Sequence, residues 1–201
     1  MSERYDHKSF FDNCAPMWHH QIDAASRIRL RSIFREKVPA LQAPVLDIGS
    51  GTGVLLSEFE ENGTENYMII EADFSLLMLD ENRRQNGKHP AVQYTQTDAH
   101  HLPFKKAGFN SIVCFAAYAH FADKLRVIRE FSYTLKPGGF LVILHLMCHY
   151  RLNEMHRKLG GAVGFDELPD VEEVAMLLSA NDFSILHAEE EKDIFLICAR
   201  K

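Results

Sequence analysis

Val45-Leu46-Asp47-Ile48-Gly49-Ser50-Gly51-Thr52-Gly53 is the stretch from which the fold is read. The first four residues are a short, mostly apolar run suited to a buried parallel strand. A glycine-rich turn follows, and Val54, Leu55 and Phe59 then carry a helix. Glycines in such a turn let the backbone come close to a ligand. The helix behind it offers free N–H groups and the positive end of its dipole. A dinucleotide-binding turn uses the same geometry, but its fingerprint needs glycine at 49, 51 and 54, and position 54 is Val54. Asp47 also suits a ligand bearing an ammonium or sulfonium better than one bearing phosphates. A tight turn with no ligand is the bland alternative.

Outward from this turn, strands and helices alternate. Residues 67–72, 92–97, 109–117 and 140–144 read as strands. Residues 21–38 and 76–84 read as helices, and Leu125, Ile128, Phe131 and Leu135 mark one face of another. Pro137, Gly138 and Gly139 turn the chain into the fifth strand. Such alternation implies a parallel sheet with helices on both faces. The tail departs from it: a helix carrying Val171, Val174 and Leu178 precedes a hairpin of residues 183–188 and 194–199, so one sheet edge should be antiparallel. Residues 146–168, rich in His, Arg and Gly, interrupt the pattern and are expected to form a lid. Residues 1–40 are expected as a helical cap, within one domain of 201 residues.

With 46% hydrophobic and 25% charged residues the chain is not a disordered one. A net charge of -6 argues against a sequence-independent grip on nucleic acid. The local basic group Arg27, Arg29, Arg31, Arg35 and Lys37 reads as a solvated helix face. Cys14, Cys114, Cys148 and Cys198 have no zinc or redox spacing, and residues 1–11 carry charge throughout, unlike a secretory signal. No stretch approaches the ~20 apolar residues of a membrane helix. A cytoplasmic location is the expectation.

Asp73 comes twenty residues after Gly53, at the end of the second strand, with Glu71 two positions earlier. An acid there can accept both hydroxyls of a ribose, and Asp73 is preferred. At this point the chain resembles the class I S-adenosylmethionine-dependent methyltransferases, of the small-molecule, ubiquinone/menaquinone-methyltransferase-like type. Asp47, Gly49, Gly51 and Gly53 look like their first motif, and Asp73-Phe74-Ser75 with Met78-Leu79 like the ribose-binding strand end. Thr97-Asp98-Ala99 with Leu102-Pro103-Phe104 is similar to the adenine pocket. Phe109-Asn110-Ser111-Ile112-Val113 resembles strand four, although Asp is commoner than Asn110. Leu135-Lys136-Pro137-Gly138-Gly139 resembles the turn before strand five. These matches run in order from about residue 44 to 144.

The resemblance implies a Rossmann-like, doubly wound α/β fold, its seven-stranded sheet mostly parallel with an antiparallel last strand. It implies S-adenosylmethionine as cofactor, with Asp47, Gly49, Ser50, Gly51 and Gly53 toward the methionine portion. Asp73 would hold the ribose with Phe74 beside it, Asp98 would accept from the adenine amino group, and Ala99 N–H would contact the ring. Phe115, at the end of strand four, joins the cofactor set.

Methyl transfer from a sulfonium is a direct displacement, so a protein mainly aligns the acceptor and excludes water. An acceptor that loses a proton also needs a base. His120 and His145 follow strand ends on the side where such sheets bind ligands, and His156 lies in the expected lid; these three are the candidate catalytic residues. Eleven histidines invite a metal reading, but neither His145 with His149 nor Cys148 completes a ligand spacing, so no metal is expected. Phe10-Phe11-Asp12 and Trp18, His19, His20 resemble a cofactor-covering opening segment.

The leading function is methylation of a small molecule. An RNA or protein methyltransferase acting on amino groups would show Asn or Asp and two prolines after strand four, where this chain has Phe115-Ala116-Ala117-Tyr118. A nicotinamide-dependent oxidoreductase is opposed by Val54 and Asp47. A non-catalytic or regulatory S-adenosylmethionine-binding protein would keep the same fold.

Overall fold

Every residue of β1 (Val45–Ile48) is buried, because the strand lies inside the sheet with helices over both faces. The computed structural model of the chain describes residues 7–18, 22–61, 68–87 and 91–201. Around β1 stand β2 (Ile69–Asp73), β3 (Val92–Gln96), β4 (Phe109–Phe115), β5 (Leu135–His145), β6 (Ser184–Glu191) and β7 (Ile194–Arg200), in the order β3-β2-β1-β4-β5-β7-β6. Strands β1 to β5 pair in parallel. β7 runs antiparallel to both β5 and β6, so the last strand is wedged into the sheet and β6 forms the edge. The expected antiparallel hairpin is there, but the reversed strand is its inner member.

The strand order changes direction between β1 and β4, which opens a crevice beyond their carboxyl ends. Strand alternation divides the core in two. Ile112 and Cys114 of β4 face the layer that includes Val127, Phe131 and Val174. Val113 and Phe115 face the opposite layer, with Leu30, Phe34 and Phe59. The helices covering these faces are α1 (His7–Trp18), α2 (Ala24–Glu36), α3 (Leu56–Glu61), α4 (Leu76–Asn86), α5 (Lys124–Thr134), α6 (His149–Leu159) and α7 (Val171–Ser179). Asp23, Ser75, Asp123 and Asp170 cap four of them, each accepting a backbone N–H from the first turn.

Two elements differ from the sequence expectation. The helix expected over 21–38 begins at Ala24, after the Asp23 cap, and ends at Glu36. Its expected first residue Gln21 lies outside the described residues, as do His19, His20 and the strand residue Tyr67. β5 begins at Leu135 rather than residue 140: Leu135 pairs with Phe109 and Phe140 with Ser111, so the Pro-Gly-Gly run bulges within the strand. Residues 146–168 contain α6 and a 3₁₀ turn, Gly161–Val163. No helix among the described residues is long and apolar enough to cross a membrane.

Candidate functional site

A cavity of about 410 Å³ lies beyond the carboxyl ends of β1, β2 and β4, within the few-hundred-Å³ range of small-molecule sites. Its floor is Asp47, Gly49, Ser50 and Gly51; Asp73 and Phe74 line one side, and Asp98 and Ala99 another. Phe115 and Ala117 come from the end of β4, while α1 contributes His7, Phe11 and Trp18. Nine of the ten cofactor-site candidates therefore line one space. Gly53 does not: a Cβ there would lie 2.3 Å from Asn82 Oδ1, so its smallness serves the packing of α4 beneath the turn.

Gly49 is needed where it stands. Its φ is +70°, and a Cβ would come within 2.3 Å of the Cβ of Ala117. The turn so folded brings Gly51 N–H to Asp73 Oδ2 at 2.9 Å, while Ser75 N–H donates to Asp73 Oδ1 at 2.8 Å. Each carboxylate oxygen keeps a further lone pair for a ligand hydroxyl. Glu71 is the other acid of β2. It is fully buried, takes no part in the lining, and accepts from Asn82 Nδ2 at 2.7 Å.

The electrostatics of this end of the sheet are unbalanced. Asp47 and Glu71 are register partners on adjacent strands, and Asp47 is 1% exposed. Asp47 Oδ1 has no hydrogen-bond partner among the described residues. Burial, then the charges of Glu71 and Asp73, push the Asp47 carboxyl well above its usual range. Burial also pushes Glu71 up to about 8, with Asp73 adding to it and Asn82 opposing. Asp73 is raised by burial, against the backbone N–H groups of Ser75 and Gly51. No ion pair joins these three acids to a lysine or arginine among the described residues. The donor set fits a ligand that brings its own positive charge.

Asp98 carries a neighbour that sequence reading missed. His100 donates to Asp98 Oδ1 through its backbone N–H at 2.9 Å, and its Nδ1 lies 2.6 Å from the same oxygen. His100 Nε2 accepts the Asp123 backbone N–H at 3.2 Å, which leaves the ring proton on Nδ1. Burial would raise Asp98, but these bonds from His100 hold its carboxyl below the usual range. A histidine two residues after a strand-end acid is the signal that would have found it.

Of the three candidate catalytic histidines, only His120 lines the cavity. Its Nδ1 lies 2.7 Å from Asp166 Oδ2, and its ring centroid is 5.1 Å from that of Phe11. His156 is 5.1 Å from His120 by ring centroids, is buried, and has its Nδ1 3.0 Å from the backbone oxygen of Asp166. Burial lowers its pKa. His145 ends β5 but packs edge-on against Phe195 of β7 at 5.9 Å. Burial, then the charges of His120, His156 and Lys124, lower it to about 3, so it stays neutral. The three were expected to face one space together, but His145 and His156 do not line this cavity: a strand end fixes a residue's height, not the face its ring takes. Tyr118, on the 3₁₀ turn after β4, is wholly buried and outside the lining.

Other polar residues of these segments are held in structural contacts. His149 pairs with Glu190 at 2.7 Å, and Asn153 exchanges two hydrogen bonds with the Leu168 backbone. Arg31, Arg35 and Lys37 pair with Glu58, Glu36 and Glu189, as a solvated helix face does. Among the described residues no group of three His, Cys, Asp or Glu side chains could hold a metal ion.

Comparison with known proteins bears on the same region. Residues 46–143 match the family described as a methyltransferase domain. The demethylmenaquinone methyltransferase of Deinococcus radiodurans is 35% identical over 101 residues, which is 50% of this chain and 42% of that protein. The ubiquinone/menaquinone biosynthesis C-methyltransferase of Vibrio parahaemolyticus is 33% identical over 141 residues, 69% of this chain and 52% of its own length. The chain thus spans about half the length of the curated relatives it matches. The crystal structure of a SAM dependent methyltransferase from Aquifex aeolicus superposes with a TM-score of 0.68 at 16% identity, covering 97% of this chain and 98% of that one. Residues 46–143 thus match a methyltransferase domain, and the chain resembles S-adenosylmethionine-dependent methyltransferases in its fold, down to the inserted antiparallel strand.

Proposed function

We propose that the chain binds S-adenosylmethionine in this cavity and transfers its methyl group to a small molecule. The observation carrying the reading is that Asp47 and Asp73 line the cavity with Glu71 buried beside them, and that among the described residues no lysine or arginine pairs with any of the three. The cofactor, when bound, supplies an electrophilic methyl group on a sulfonium. The chain's own residues then do the rest. Asp47, backed by Glu71, offsets the positive charge of the methionine portion. Asp73 accepts the ribose hydroxyls, Asp98 accepts from the adenine amino group, and the N–H of Ala99 meets the ring. Phe11 and Trp18 of α1 close the space against water, which strengthens these charge interactions. His120 stands at the remaining wall as a base.

The relatives' names give demethylmenaquinone as the first acceptor to try, in its reduced form. All four cysteines are free, which favours a reducing compartment such as the cytoplasm. Isothermal titration tests the reading: S-adenosylmethionine and its demethylated product bind one to one, and NAD does not. Asp73→Ala weakens both by roughly 10- to 100-fold, the range for hydrogen bonds to a charged group. Binding of NAD with neither adenosyl ligand bound would overturn it.

A further inference from the structure

We infer that Asp166 is the positioning residue that makes His120 the base for a protic acceptor, and that His7 completes the device from α1. This rests on the proposed methyl transfer. Three separate segments build it. His120 sits on the 3₁₀ turn Tyr118–His120 after β4, Asp166 follows α6, and His7 begins α1. Asp166 Oδ2 is 2.7 Å from His120 Nδ1, and Asp166 Oδ1 is 2.8 Å from His7 Nε2. A carboxylate only accepts, so Nδ1 of His120 carries the proton, and Nε2 keeps its lone pair on a ring that lines the cavity.

The surroundings hold the ring in place. Lys124 of α5 donates to the carbonyls of Ala119 and Phe121, the two neighbours of His120, at 3.3 and 2.9 Å. His156 of α6 holds the backbone oxygen of Asp166. The titratable groups facing the pair are therefore His7 from α1, Lys124 from α5, His145 from β5 and His156 from α6. Although burial opposes it, the hydrogen bonds from His120 and His7 hold Asp166 ionised, its carboxyl well below the usual range.

The step balances as follows. The acceptor atom forms its bond to the methyl carbon, the carbon–sulfur bond breaks with its electron pair left on sulfur, and the acceptor's proton passes to Nε2 of His120. The imidazolium so formed faces the Asp166 carboxylate, which stabilises it until the proton leaves to water. The acceptor is thus an O–H, N–H or acidic C–H compound rather than one methylated on a bare lone pair.

The test is the tautomer of His120, read by NMR on the full chain labelled with ¹⁵N-histidine and assigned with His120→Gln. Near neutral pH the wild type shows His120 with its proton on Nδ1. Asp166→Ala moves that proton largely to Nε2, while the affinity for S-adenosylmethionine by titration changes by less than about threefold, well under the 1.4 kcal/mol of a tenfold change. His7→Gln leaves the proton on Nδ1. A wild-type His120 protonated on Nε2, or a tautomer that Asp166→Ala leaves unmoved, overturns the inference. If Asp166→Ala fails to fold, the wild-type tautomer alone decides. Failure of the wild type to bind S-adenosylmethionine would instead strike the methyltransfer reading, whatever the tautomer.

Discussion

A methyl group added at Gly49 would collide with the Cβ of Ala117 at 2.3 Å, on a backbone with φ of +70°. Two costs add there: the left-handed conformation, about 1–2 kcal/mol, and overpacking, about 1–3 kcal/mol. Gly138 shares the first without the second, since its φ is +80° and nothing lies within 4 Å of an added Cβ. Gly49→Ala is therefore expected to lose about 2–5 kcal/mol in urea unfolding and to abolish measurable cofactor binding, while Gly138→Ala loses about 1–2 kcal/mol and binds normally. Equal losses would remove the close approach as the reason for this glycine. Residues of this kind are legible in sequence because a glycine on a strand-to-helix turn has few other uses. The acids were legible by height: Asp47, Asp73 and Asp98 all sit at strand ends. What separates Asp73 from Glu71 is depth, set by Asn82 of α4, and no local pattern carries that. Asp166 was passed over because it stands in an irregular loop, and its partners His7 and His120 lie 159 and 46 residues away.

At the scale of elements, α1 is the part of the site least visible in the sequence. The likeness of Phe10-Phe11-Asp12 to a covering segment was apparent and residues 1–40 read as a helical cap, but the bounds of α1 were not legible, the helix having mixed polarity and Pro16 in its last turn. Its placement depends on remote partners. Asp12 accepts from Ser75 Oγ at 2.5 Å and from Lys8 Nζ at 2.6 Å, tying α1 to the capping residue of α4. His7 ties it to the loop after α6. A part-buried bond of this sort contributes about 1 kcal/mol, so Asp12→Ala is expected to weaken S-adenosylmethionine binding by roughly fivefold. Amide hydrogen exchange in α1 should rise in that variant, and bound cofactor should slow it in the wild type. Unchanged exchange in α1 on cofactor binding would mean that the helix is a fixed wall rather than a cover. Residues 146–168, expected as a lid, contribute Asp166 and His156 to the same corner. The sheet was easier to read, because its inner strands declare themselves by apolar runs. The place of β7 inside the sheet was harder, since a hairpin fits the edge in either order.

For the molecule as a whole, the buried acids set a pH dependence whose sign follows from their direction. Glu71 is raised to about 8 and Asp47 is raised as well, whereas an unfolded chain ionises such groups near pH 4. Below roughly pH 4 both states hold the protons and the cluster has no effect on stability. Between about pH 4 and 8 the unfolded chain has lost protons that the folded chain keeps, so this contribution falls as pH rises. Asp166 works the other way: its lowered pKa contributes stability above the unfolded carboxylate range, lost only in acid. A ligand bearing fixed positive charge reverses the first effect by stabilising the ionised acids, so binding must expel protons. Near pH 6.5 the ligand's own ammonium is already charged, its pKa lying about one unit higher, and the released proton comes from the protein. Titration of the free protein with S-adenosylmethionine in phosphate and in Tris is then expected to give different apparent enthalpies, corresponding to release of up to about one proton. Affinity should rise with pH between about 6 and 8. Glu71→Gln should shrink both effects, and should flatten the loss of thermal stability over the same range in the free protein. Equal enthalpies in the two buffers, or proton uptake, would show that the acids are already ionised and that the cavity was not waiting for a cation.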